Sequence, residues 1–271
     1  MQQINSAIAL NKAPTIAYMN VNIIKHGLPS FFTSLGLVSG CISVVISISY
    51  GDLNLAGYFI LAAACFDFID GMVARMLNSI SAFGKQLDSL ADVVSFGVAP
   101  AMILYRLMLL SFVKSSPGAD FDVMHPSPGV SILLYSTFLV AVFSALRLAK
   151  FNLDPEQVKN FKGLPTPACA IFVVALGFIA ESSRDLPLAQ MVFNRVFLMA
   201  VILLLCFFMV STIRMFSLKF STFGIQRNAL RYLLILFSVF FLMVYRLPGL
   251  APAIVSYVLL SLVNNWFIKM E

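Results

Sequence analysis

The sequence predicts an all-α protein, a polytopic integral membrane bundle of about eight transmembrane helices. Hydrophobic residues make up 60% of the 271 residues and charged residues only 11%. The mean hydropathy is +0.94, so there is too little polar surface to enclose a soluble core. Apolar runs of about 18 residues or more, long enough to cross a bilayer as a helix, recur along the chain. A membrane β-barrel would need alternating polar and apolar positions, and these runs are continuous.

Eight apolar segments define the predicted helices. We place them at 30–50, 54–77, 86–113, 129–149, 165–182, 195–215, 229–246 and 250–268. Only a short turn containing Pro248 and Gly249 separates the last two, and both residue types favour a helix break. Residues 1–28 are predicted to be a cytoplasmic N-terminal extension, and residues 29–271 to form one membrane domain.

The distribution of basic residues predicts the orientation. With the N-terminus inside, 13 of the 18 Lys and Arg residues fall at inner ends or in inner loops. The five on the outer side are Arg106, Lys114, Arg184, Arg195 and Arg246. Because cytoplasmic loops carry the excess of Lys and Arg, both termini are expected in the cytoplasm. The expected location is a bacterial inner membrane.

Composition also argues against several kinds of site. The four cysteines are scattered through apolar runs without a CxxC pair, so no disulfide framework is indicated. His26 and His125 lie far apart and outside the segments, which disfavours a His/Cys metal site. The formal charge of +6 is not arranged as a basic stripe with interleaved aromatics, so no nucleic-acid partner is expected.

Four aspartates lie at the inner ends of two consecutive predicted membrane helices. Asp67 and Asp70 end the second segment, and Asp88 and Asp92 begin the third. Spacings of three and four residues put each pair on one helix face. The connector 76–85 lets the two helices return antiparallel, so all four carboxylates are predicted to surround one cavity. Charged carboxylates at membrane depth cost several kcal/mol of free energy unless cations neutralise them.

Oxygen ligands indicate which cation. Carboxylates favour hard divalent ions, so we predict that Asp67, Asp70, Asp88 and Asp92 bind Mg²⁺ or Mn²⁺, with Ca²⁺ a third candidate. Two such ions about 4 Å apart would make a phosphoryl-transfer site, with the active site facing the cytoplasm.

Small and basic residues accompany the aspartates. Gly71, Ala74 and Gly84 leave room for a nucleotide to approach the backbone. Arg75 supplies a cation where a diphosphate needs one. The alternative is close helix packing for the small residues and a snorkelling side chain for Arg75.

The run Asp67-x2-Asp70-Gly71-x2-Ala74-Arg75-x8-Gly84-x3-Asp88-x3-Asp92 resembles the signature of the CDP-alcohol phosphatidyltransferases at every position. The resemblance implies that Asp92 is the catalytic base and also touches a metal, and that the protein is a homodimer. The metal ligands it implies are Asp67, Asp70 and Asp88. The residues it assigns to the cytidine diphosphate group are Gly71, Ala74, Arg75 and Gly84.

The family resemblance implies a reaction at phosphorus. An alcohol oxygen attacks the lipid-side phosphate of CDP-diacylglycerol, and CMP leaves. Residues 87–100, 147–152 and 163–167 are similar to the branch of the family whose acceptor is L-serine. Together with the signature, the resemblance covers most of residues 25–180.

A serine acceptor would need groups that bind its carboxylate. Arg147 and Lys150 end the fourth segment three residues apart, and Asn152 follows with an amide. Ser95 lies seven residues after Asp88 and is expected near the same cavity. The alternative is that the two basic residues are membrane-end anchors and that Ser95 is helix packing.

The start of the first segment, Pro29-Ser30-Phe31-Phe32-Thr33-Ser34, resembles a family stretch near the phosphates, with Ser30 where Asn is usual. Thr33 is therefore a candidate ligand of the CDP-lipid, or an ordinary hydroxyl at a helix start.

Three other functions remain open from the sequence. Glycerol 3-phosphate or inositol phosphate could replace serine as acceptor, although both would want more clustered basic residues. A cation-coupled membrane transporter would also contain acidic residues within its spans. A catalytically inactive family member serving as a structural partner is the third.

Overall fold

The computed structural model describes residues 27–79, 81–115, 125–153, 162–182, 187–215 and 225–268. Over this part the chain forms eleven α-helices and no named β-strand, which confirms the all-α prediction. The predicted N-terminal extension falls almost entirely outside the described residues. The helices are α1 Gly27–Tyr50, α2 Leu53–Met76, α3 Ala82–Asp92, α4 Ala99–Ser115, α5 Pro128–Tyr135, α6 Leu139–Leu153, α7 Thr166–Ser182, α8 Pro187–Val192, α9 Arg195–Val210, α10 Ile225–Tyr245 and α11 Leu250–Ile268.

Each predicted segment coincides with an apolar helical stretch. Six stretches are long and apolar enough to cross a membrane, so the chain is an integral membrane protein. These six are Gly27–Tyr50, Leu53–Met76, Ala82–Lys114, Pro128–Leu153, Asn228–Tyr245 and Leu247–Asn265. The helices α7 and α9 are apolar but shorter, with 17 and 16 residues, so eight full spans stay a prediction.

The α7 helix lies at the centre of the described bundle. It packs against α2, α4 and α11, and most of its side chains are buried, including Val173, Val174 and Leu176. Gly57 lets α2 approach closely, since an added Cβ would lie 3.0 Å from both Val174 and Phe178. A helix that is apolar on all sides is expected in such a central position.

A π-helical turn, Val93–Val98, joins α3 to α4 without breaking the long span. It is wedged between two other helices. Gly40 of α1 comes so close that an added Cβ would lie 2.8 Å from the Ser95 Cα, and a Cβ on Gly97 would lie 3.1 Å from Ser144 of α6. Turns of this kind are frequent at functional sites, and this one directly follows Asp92.

Candidate active site

The α2–α3 hairpin brings three aspartates together. Asp67 and Asp70 lie on the last three turns of α2, and Asp88 lies on α3. One carboxylate oxygen from each lies within 4.8 Å of the oxygens offered by the other two. Ser81 begins the returning helix by accepting a hydrogen bond from the Gly84 amide at 2.9 Å, which is an N-cap.

Asp92 lies beside this trio and not within it. The three clustered carboxylates and Asp92 line one small cavity of about 190 Å³, together with Thr33. The predicted four-carboxylate site therefore divides into a group of three and a neighbour one turn further along α3.

Thr33 contacts an aspartate directly. Its hydroxyl donates to the Asp70 Oδ2 at 2.5 Å and also lies 3.1 Å from the Pro29 carbonyl oxygen. Both Thr33 and Asp70 are buried. Thr33 thus fixes the orientation of one carboxylate, and it also lines the larger cavity described next.

A second, larger cavity of about 740 Å³ adjoins the cluster. The residues assigned to the CDP-lipid all line it: Thr33, Gly71, Ala74, Arg75 and Gly84. Asp70 and Asp88 form its wall next to the trio. The Arg75 Nε donates to the Gly71 carbonyl at 2.8 Å, so the guanidinium folds back along α2.

Sequence reasoning did not assign four polar residues that line this larger cavity. They are Ser30, Ser79, Ser81 and Lys85. Ser81 had a detectable signal, a hydroxyl residue directly before a helix start. Lys85 directly follows Gly84 of the signature, and it adds a second basic side chain to the cavity that Arg75 also lines.

The chemistry of the trio fits a hard divalent cation. Three carboxylates at this separation repel one another in a partly buried setting, and a cation between them removes that repulsion. Their oxygens are the ligand type that Mg²⁺, Mn²⁺ and Ca²⁺ prefer. Asp67, Asp70 and Asp88 are therefore the residues that could hold such an ion.

Arg147 is buried, with only 9% of its surface exposed, and it is close enough to Asp92 for the two charges to interact. Its Nη1 donates to the Thr166 hydroxyl at 3.4 Å, while its buried Nε has no hydrogen-bond partner among the described residues. A buried guanidinium with an unused donor is equipped to bind a carboxylate.

The other predicted acceptor residues have different surroundings. Lys150 is exposed, so it does not share the buried position of Arg147. The Asn152 amide donates to the Ser89 hydroxyl at 2.8 Å, which ties the end of α6 to α3. Ser95 lines the small cavity, but its hydroxyl donates to the Gly36 carbonyl at 3.1 Å.

A family model places these residues in a known context. The model for CDP-alcohol phosphatidyltransferase matches residues 26–216, which includes every residue named in this site.

Individual relatives support the same family. Archaetidylserine synthase of Methanothermobacter thermautotrophicus is 37% identical over 161 residues, covering 58% of this chain and 61% of that protein. CDP-diacylglycerol–serine O-phosphatidyltransferase of Bacillus subtilis is 33% identical over 151 residues, covering 56% and 75%. The protein of that name from Saccharomyces cerevisiae is 34% identical over 166 residues, covering 56% and 53%. The chain thus spans less than two thirds of the archaeal and yeast relatives.

Proposed function

The chain belongs to the CDP-alcohol phosphatidyltransferase family, and from that premise we propose that it transfers the phosphatidyl group of CDP-diacylglycerol to L-serine. The products would be phosphatidylserine and CMP, which places the protein in phospholipid biosynthesis. Two of the relatives named above carry serine as the acceptor in their names.

One observation carries the proposal. The carboxylates of Asp67, Asp70 and Asp88 lie within 4.8 Å of one another, and two of them form the wall of the cavity lined by the signature residues. A diphosphate in that cavity would reach both the trio and the two basic residues Arg75 and Lys85. Asp92 would then lie on the far side of the trio, towards Arg147.

The proposed transfer needs only the two substrates, CDP-diacylglycerol and serine. The serine hydroxyl oxygen forms a bond to the lipid-side phosphorus, and the bond from that phosphorus to the CMP oxygen breaks. CMP leaves with the electron pair. Asp92 accepts the hydroxyl proton, which is general base catalysis.

The divalent cation is part of the proposal. When bound, it neutralises the diphosphate and stabilises the charge that develops on the leaving group. Asp67, Asp70 and Asp88 would hold it, and Thr33 would keep Asp70 in position. We propose Mg²⁺ or Mn²⁺, and two ions at this site.

Arg147 is the residue that we propose for serine recognition. Its buried guanidinium would bind the serine carboxylate and place the hydroxyl near Asp92. Lys150, Asn152 and Ser95 remain candidates of the same proposal, acting at the rim or through neighbours.

The distribution of Lys and Arg supports the proposed orientation, and the family resemblance supports the proposed dimer. We propose that the site faces the cytoplasm of a bacterial inner membrane, that residues 29–271 form one membrane domain, and that two copies form a homodimer. A membrane-impermeant maleimide should not label a Leu153→Cys variant in intact cells; labelling there would contradict the orientation. Light scattering of the purified protein tests the dimer.

The acceptor panel tests the proposed activity. Purified protein is supplied with CDP-diacylglycerol and Mn²⁺, and CMP release is measured with serine, glycerol 3-phosphate or inositol phosphate. We expect release with serine alone. Release with either phosphorylated alcohol but not with serine would overturn the choice of acceptor, and cation flux in liposomes without CMP release would favour a transporter.

A further inference from the structure

An apolar groove lies between α7, α9 and α11, away from the aspartates. Its volume is about 680 Å³, and every residue lining it is apolar, including Phe172, Leu205 and Val258. The lining on α11 runs from residue 254 to 262, about 12 Å at about 1.5 Å per residue. Leu259 on its wall is 56% exposed, so the groove is open along its side.

Two basic residues, Lys162 and Arg214, lie near the end of the groove that Leu164 lines. Lys162 and Arg214 form an isolated antiparallel bridge, which places their Cβ atoms about 5 Å apart on the same side. Arg214 is exposed. Two basic side chains at this end of the groove are of the charge that an anionic group requires.

Backbone contacts hold the basic pair in place. The Gly163 and Leu164 amides donate to the Ile213 and Phe208 carbonyls at 2.8 and 2.9 Å. Gly163 has φ +79°, and an added Cβ would lie 2.6 Å from the Met209 carbonyl oxygen, so this close approach requires glycine.

The third wall of the groove is fixed to the same point. The Asn265 amide, three residues beyond Leu262 on α11, donates to the Arg214 carbonyl at 2.6 Å. Cations and groove are therefore parts of one rigid arrangement. Thr166, two residues after Leu164, contacts Arg147, so the basic end lies on the same membrane face as the aspartates.

We propose that this groove binds an anionic phospholipid, with an acyl chain between α7, α9 and α11 and the phosphate at Arg214 and Lys162. A guanidinium can hold a phosphate through two parallel hydrogen bonds, and the neighbouring ammonium adds charge. Basic positions between membrane helices on the cytoplasmic side suit anionic lipid head groups. The site is separate from the catalytic cavities and does not depend on the proposed reaction.

Native mass spectrometry of the detergent-purified full chain tests this site. The probes are phosphatidylglycerol and phosphatidylcholine with identical acyl chains, added without CDP-lipid or metal. We expect the wild type to retain phosphatidylglycerol about tenfold better, the effect of one such charged contact. Arg214→Gln should remove this preference, while Arg214→Lys should keep most of it.

A second variant tests the groove itself. Leu259→Trp, which fills the groove, should lower retention of both lipids. The matched controls Leu236→Trp on α10 and Arg246→Gln at the other membrane end should behave as wild type. Equal retention of the two lipids by the wild type would overturn the proposal. So would an unchanged preference in Arg214→Gln, unchanged retention in Leu259→Trp, or displacement of phosphatidylglycerol by inorganic phosphate.

Discussion

Each carboxylate in the site has different neighbours, so the aspartates should respond differently to the same substitution. Asp70 accepts a hydrogen bond from Thr33, Asp67 and Asp88 face one another across the α2–α3 hairpin, and Asp92 lies towards Arg147. Loss of a metal ligand should raise the Mn²⁺ concentration needed for half-maximal activity. Loss of the proposed base should leave this Mn²⁺ concentration unchanged and slow the chemical step.

Asp92→Asn tests the base. The amide cannot accept the hydroxyl proton, so we expect kcat to fall by about 10²–10⁴-fold, while CDP-lipid binding and the Mn²⁺ concentration for half-maximal activity stay close to wild type. Initial rates and equilibrium binding of labelled CDP-lipid measure the two effects. Asp52→Asn, at the opposite end of α2, is the control because an asparagine there still caps the helix. A variant that keeps half of the wild-type kcat would show that Asp92 is not the base.

Thr33→Val tests the positioning of Asp70. The valine removes the hydroxyl that donates at 2.5 Å while keeping the branched shape. We expect the half-saturating Mn²⁺ concentration to rise by about 10–100-fold, as for other residues that orient metal ligands. Thr33→Ser should restore most of the affinity. An unchanged Mn²⁺ titration would mean that the hydrogen bond does not orient a ligand.

The sequence predicted some features of these residues and not others. Spacing alone predicted that Asp67 and Asp70 share a face. The partner of Thr33 could not be predicted, because Asp70 lies 37 residues away on another helix. The sequence suggested a phosphate contact for Thr33, and the structure shows a carboxylate contact.

Two contacts between elements hold α3 in position. The π-helical turn after Asp92 is wedged against α1 at Gly40, and Asn152 at the end of α6 bonds to Ser89 beside Asp88. These two contacts tie α3, which carries Asp88 and Asp92, to α1 and α6.

Gly40→Ala tests the wedge. The added methyl would lie 2.6 Å from the Ser95 Oγ and 2.8 Å from its Cα, so α1 must move away from the turn. We expect the free energy of unfolding to fall by about 1–3 kcal/mol, the usual effect of overpacking, together with a loss of activity. Detergent-titrated unfolding measures the first quantity. Gly129→Ala is the control, since nothing lies within 4 Å of its added Cβ; equal stability of the two variants would refute the wedge.

A double-mutant cycle tests the Asn152–Ser89 contact. Each single alanine variant should lose activity, and the double variant should lose little more, giving a coupling energy of about 0.5–1.5 kcal/mol. If Asn152 instead binds serine directly, Asn152→Ala will raise the KM for serine whether or not Ser89 is present. Measurement of kcat and the KM for serine in all four proteins distinguishes the two roles.

Over the whole molecule, the apolar runs predicted the helices well. They could not show which helix is central, because α7 is as apolar as its neighbours. The predicted sixth segment, 195–215, was too long: α9 ends at Val210, where the 162–164 segment bonds to the Phe208 carbonyl and to the extended chain at Ile213. Contacts between distant segments decided both points, and a hydropathy pattern does not contain them.

The site was predicted more fully than its surroundings because the signature confines its residues to one hairpin. Gly71, Ala74, Arg75 and Gly84 follow the aspartates at fixed spacings, and all four line one cavity. Three of the proposed acceptor residues lie on α6 instead, where Arg147 is buried and Lys150 is exposed. Their three-residue spacing did not distinguish these environments.

The central claim is that the aspartate cluster catalyses serine-dependent release of CMP. Its most direct test is the initial rate of CMP release and of phosphatidylserine formation from CDP-diacylglycerol, serine and Mn²⁺, compared among wild type, Asp88→Asn and Asp52→Asn. We predict one phosphatidylserine per CMP for wild type and Asp52→Asn, and a rate at least about 100-fold lower for Asp88→Asn, since a metal ligand is lost. Full activity in Asp88→Asn, or CMP release by wild type that does not require serine, would contradict the account.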